Sequence, residues 1–159
     1  MTLVVQNAID PTLINSLATL SGSQTLTNKA LKIVKEPVTI VAAAPASTTN
    51  FDVVTQSIVV YNTATNNFIL NIRGDASTTL NSLVAIGESI GISLFVPNST
   101  TAYYPTNITI DGSSSNRTIK YQGAAFVAGN PNATDLYMLF LIKTANDTWN
   151  VYISQTKYA

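Results

Sequence analysis

The sequence predicts an all-β protein, an antiparallel β-sandwich of jelly-roll type behind a short helical or extended N-terminal arm, and three observations carry the prediction. Charged residues supply only 10% of the 159 positions, against about a quarter in ordinary globular chains. The polar surface comes instead from Thr, Asn and Ser, which make up about a third of the residues and favour turns and strand faces over helix interiors. Short apolar or alternating runs separated by turn formers recur along most of the chain, and no βαβ alternation appears. At this length one domain can bury a sizeable core, roughly two-thirds of its extended surface.

The arm comprises residues 1–35. Asp10-Pro11-Thr12 supplies a helix cap with Pro at the first helical position. Leu13, Ile14, Leu17 and Leu20 then fall on one face at helical spacing, and Ser21-Gly22-Ser23 ends the segment. Thr25 to Lys35 alternates as a half-buried strand does, with Leu26, Leu31 and Ile33 among its apolar positions. Lys29, Lys32 and Lys35 face outward. They read as a solvated, pairing-resistant edge, with an acidic partner as the alternative.

From Glu36-Pro37 to Ala159 the chain reads as one β-domain. Strands are predicted at Val38 to Ala43, Ser57 to Tyr61, Phe68 to Arg73, Ser89 to Val96, Asn107 to Ile110, Arg117 to Tyr121, Leu136 to Lys143 and Trp149 to Gln155. One short helix interrupts them: Asp75 or Ser77 caps it, Leu80, Leu83 and Val84 share a face, Gly87 ends it, and it plugs one end of the sandwich. Thr144 to Thr148 is rich in turn formers and joins the last two strands as a hairpin, with Trp149 near the core. Leu139 to Ile142 is apolar without alternation. It calls for cover on both faces, in a central strand or against a neighbouring subunit.

The side chains that do chemistry are sparse. Eight basic and eight acidic residues cancel, so nothing draws nucleic acid or an anionic membrane to the chain. Histidine and cysteine are absent, which removes the usual neutral-pH base, the commonest metal ligands and the thiol nucleophile. The acids are scattered, Asp75 and Glu88 being considered as a carboxylate pair and read as solvated loop and cap groups. Asn130 to Asp135 lacks the ligand spacing of a calcium loop, and Gly87 to Gly91 lacks the Lys of a phosphate cradle. No catalytic, cofactor or metal site is therefore predicted. Arg73-Gly74-Asp75 spells an adhesion triplet at a place where a strand end and a capping Asp are wanted anyway. The five Asn-x-Ser/Thr triplets at Asn98, Asn107, Asn116, Asn132 and Asn146 follow from composition. Tyr103-Tyr104-Pro105 is either a contact loop or packing at a domain edge. The first residues lack a signal peptide's basic region and no apolar run approaches ~18 residues, so a cytoplasmic product is expected.

Ser21-Gly22-Ser23-Gln24-Thr25-Leu26-Thr27-Asn28-Lys29-Ala30-Leu31 resembles the SGTQTLTNKTL segment of virion structural and fibre proteins of tailed bacteriophages, especially marine and cyanobacterial ones. The body is similar to a β-module of such proteins through Asn67 to Gly74, Thr101 to Pro105 and the ending Ser154 to Ala159. The resemblance implies a virion component assembled in the host cytoplasm, without cofactor, multicopy and often trimeric, and it carries over no catalytic residue. A short arm and one domain suit a capsid decoration protein. In that reading Leu13, Ile14, Leu17, Leu20, Leu26, Leu31 and Ile33 contact the major capsid protein or a neighbouring copy. The alternatives are a tail or fibre component presenting Tyr103 and Tyr104 to a host glycan, and a glycan-cleaving domain built on two carboxylates.

Overall fold

A computed structural model describes residues 35–159. The arm and its seven proposed contact positions, Leu13 to Ile33, lie outside the described residues. The body is β throughout apart from one helical turn: β1 (Val38–Val41), β2 (Thr48–Asp52), β3 (Ile58–Tyr61), β4 (Phe68–Arg73), α1 (Leu80–Leu83), β5 (Ser89–Pro97), β6 (Pro105–Ile110), β7 (Arg117–Tyr121), β8 (Thr134–Ala145) and β9 (Thr148–Lys157). A six-stranded sheet runs in the order β1-β3-β5-β8-β9-β7, and a three-stranded sheet in the order β2-β4-β6.

The predicted antiparallel jelly roll is corrected by the pairing. Five of the seven strand pairs are parallel, and only β5 with β8 and β8 with β9 are antiparallel. Strands β1 to β6 alternate between the two sheets, each beside the strand two before it. Parallel neighbours need a crossover, and here each crossover is itself a strand of the opposite sheet. Alternation in the sequence marks a strand but is silent on its partner, which is why this connectivity was not predicted.

Both sheets contribute inward side chains to one core. Phe51, Phe68, Leu70, Ile72, Ile108 and Ile110 come from the smaller sheet, and Val59, Leu94, Tyr137, Leu139, Leu141, Trp149 and Val151 from the larger. Trp149 is fully buried, as its flanking pattern predicts. Strand β2 was not predicted, because Thr48-Thr49-Asn50 reads as turn. Its pairing with β4 buries Thr49 and Phe51 and sets Asn50 beside Asn71, whose Nδ2 donates to the Asn50 Oδ1 at 2.8 Å.

The predicted helix is present, with its cap shifted. Thr79 is the N-cap, its side chain accepting from the Ser82 N–H. The Asp111 carboxylate adds acceptors for the Leu80 and Asn81 N–H groups at 2.7 and 3.0 Å. Leu80 and Val84 enter the core while Leu83 stays outside. Asp111 and Gly112 both have positive φ, 51° and 81°, and Ile110 and Ser113 exchange both backbone hydrogen bonds across them. That is the primed two-residue turn that Asp-Gly favours.

Two cations lock the far end. Buried Lys143 donates through Nζ to the Val84 carbonyl at 2.9 Å and to that of Asn81, satisfying carbonyls at the helix C-terminus. Arg117 at the start of β7 donates to the Ile108 carbonyl, to Ser114 O at 2.7 Å and to Asn107 Oδ1 at 2.6 Å. It thereby ties the edge of the larger sheet to β6 of the smaller one. Partial burial pulls its pKa below the usual guanidinium value.

Candidate functional site: an apolar sheet face

Strand β8 alternates in space although Leu139 to Ile142 does not alternate in sequence. Leu139 and Leu141 point into the core at 2% and 0% exposure, whereas Met138 and Phe140 point outward at 50% and 47%. The predicted central position is found, β8 lying between β5 and β9. No described residue covers the outer half of the run.

Register collects further residues onto this face. Gly91 on β5 stands opposite Phe140, Phe140 opposite Tyr152 on β9, and Tyr152 opposite Lys120 on β7. In the adjacent row Ser93, Met138 and Ser154 are neighbours. Tyr152 is 46% exposed. Because Gly91 has no side chain, a depression of about 440 Å³ opens there, lined also by Met138, Phe140, Tyr152 and Lys120. Toward the β1 edge Val38 and Ile40 are exposed too, the latter at 79%. Half-exposed aromatic and thioether side chains in the middle of a sheet, with small polar residues around them, have the make-up of a protein-contact surface.

The carboxylates are occupied with local structure. Asp75 accepts from the Ser77 and Thr78 N–H groups at 2.7 Å, and these bonds hold its carboxyl below the usual range. Glu88 accepts from the Ala85 N–H at 2.8 Å. Arg73 is ion-paired with Asp52 at 2.7 Å, so both ends of the Arg73-Gly74-Asp75 triplet are engaged in the fold. Asp135 is fully buried and accepts from Tyr137 and from Gln155. Burial first, and Asp135 second, push the Tyr137 phenol well above its usual range. Among the described residues no group of three or more Asp or Glu could hold a metal ion, and no helix is long and apolar enough to cross a membrane.

Tyr103 and Tyr104, the proposed contact loop, are partly buried and pack against the core. Tyr104 donates its N–H to Asn67 Oδ1 at 3.1 Å, and its carbonyl accepts from Phe68 N. Packing against the core is what the structure shows at these residues. Sequence reasoning missed Gly91, Lys120, Met138 and Tyr152. Only the apolar run around Phe140 signalled the site, because register across four strands brings the others to it.

No protein-family model, no curated protein and no solved structure matches the chain.

Proposed function

We propose that the chain is a non-enzymatic virion structural protein of a tailed bacteriophage, a capsid decoration protein that stabilises the shell by binding its surface. The observation that supports this reading best is the exposed row Gly91, Phe140, Tyr152 with Met138 beside it, a largely apolar face in mid-sheet. The resemblance of residues 21–31 to virion proteins supports a place in the virion. Work of this kind is additive: each contact is modest, and many symmetry-related sites on a shell multiply it.

Antibody labelling of purified virions tests the location. Staining over the whole head is expected, and staining confined to the tail would contradict the decoration role in favour of a tail component. A glycan-cleaving role predicts turnover lost on joint replacement of Asp75 and Glu88. Both carboxylates already serve backbone N–H groups, and no activity is expected to be there to lose.

A further inference from the structure

We propose that Asp111-Gly112 is a modification site, the position at which this chain forms isoaspartate, and that the side chain of Asn71 holds the reaction back in the folded protein. Asp followed by Gly occurs once in the 159 residues, and Asn followed by Gly does not occur. Glycine makes such a dipeptide reactive because no Cβ shields its nitrogen. The Gly112 nitrogen attacks Cγ of Asp111, and the N–H proton leaves with the carboxyl OH as one water, closing a cyclic imide. Water then adds back. Addition at the main-chain carbonyl opens the ring to an Asp111 linked through its side chain, with the mass unchanged.

Gly112 is exposed and Asp111 half-buried, so water reaches the dipeptide. Both reacting groups are nevertheless held. The Gly112 N–H donates to Asn71 Oδ1 at 2.8 Å, which fixes the plane of the peptide and keeps its proton from a base. The same oxygen accepts from Thr109 Oγ1 at 2.8 Å, and Asn71 Nδ2 donates to Asn50 Oδ1. Asn71 is only 8% exposed, so the carboxamide that restrains Gly112 is itself locked between β2 and β6. The Asp111 carboxylate accepts from the Leu80 and Asn81 N–H groups, and loss of one of its oxygens as water ends at least one of those bonds.

The product undoes what the turn does. An isoaspartyl residue lengthens the main chain by one atom inside a two-residue turn, across which Ile110 and Ser113 exchange both hydrogen bonds. It also moves the free carboxylate to the main-chain carbon, away from α1. Asn81 of α1 accepts the Asp147 N–H through Oδ1 at 2.8 Å, so the change reaches the β8–β9 hairpin.

Ageing the full chain at neutral pH tests the assignment, with isoaspartate read by enzymatic methyl transfer and by peptide mapping. It is expected at position 111 above every other position, and more than about tenfold faster in urea than in the folded chain. Asn71→Ala should accelerate it in the folded chain about fivefold or more, the factor that one lost hydrogen bond carries. Val151→Ala, which weakens the core in β9 without touching the turn, should leave the rate near that of the unaltered chain. No acceleration by Asn71→Ala, or equal acceleration by the two, makes global unfolding the route and overturns the role of Asn71. If Asn71→Ala does not fold, amide exchange of Gly112 in the unaltered chain decides. Protection like that of strand amides is expected, and exchange as fast as in exposed loops overturns the restraint. Isoaspartate formed chiefly elsewhere overturns the site, and equal rates in urea and in buffer overturn its protection.

Discussion

At Gly129 a single missing side chain is what lets Asp135 stay buried. A Cβ there would overlap both carboxylate oxygens of Asp135, which cannot move because one accepts from Tyr137 and Gln155 in a fully buried position. Gly129→Ala should therefore cost about 2 kcal/mol or more in denaturant unfolding, and an unchanged midpoint would show that the 126–133 segment yields freely. Asp75 makes the opposite kind of prediction, one that depends on pH. Its folded pKa is below the unfolded value of ~3.9, so its contribution is present above that value and lost as pH falls through the folded pKa. Asp75→Asn should accordingly flatten the fall in melting temperature between pH 5 and pH 2.5, roughly the carboxylate range. An equally steep fall would place the acid sensitivity elsewhere. Neither role is readable in the sequence: Asp75 or Ser77 is expected to cap the helix, whereas Thr79 does so and Asp75 closes its own turn, and the burial of Asp135 depends on a loop arriving from elsewhere.

Among elements, the strands carried by apolar residues were legible and the one that opens on Thr48-Thr49-Asn50 was not. Phe68 to Arg73 and Arg117 to Tyr121 form strands over the predicted residues, whereas β2 owes its existence to its register with β4. Asp111-Gly112 carried the strongest short-range turn signal in the chain and was not read, although its Asp also caps α1. Asp111→Ala removes two acceptors from the helix N-terminus and asks Ala to adopt φ near 51°. A loss of about 1–2 kcal/mol is expected by denaturant unfolding. The tie between sheets gives a second test. Arg117→Met keeps the stem and deletes three donated hydrogen bonds, two to backbone carbonyls and one to a side chain, so amide exchange should accelerate first in β7 and β6. Uniform acceleration across all strands would instead make Arg117 part of the global core.

At the scale of the molecule, the sequence showed an all-β body with few reactive side chains but not the parallel coil that β1 to β6 build. Pairing partners are set by packing of whole layers, which no local window contains. The proposed docking face was half legible. An apolar run that refused to alternate asked for a second cover, and only the register of β5, β8, β9 and β7 showed how Gly91, Phe140, Tyr152 and Lys120 share a row. The central claim is that this outer face is covered by protein when the chain does its work. Because the sequence contains no cysteine, one introduced thiol reports cleanly on cover. The most direct measurement is the thiol-labelling rate of Tyr152→Cys in the free chain and in purified particles, with Thr48→Cys on the exposed side of β2 as the reference. Strong protection of position 152 in particles, with position 48 labelled much as in the free chain, is predicted; equal labelling of position 152 in both states would contradict the account.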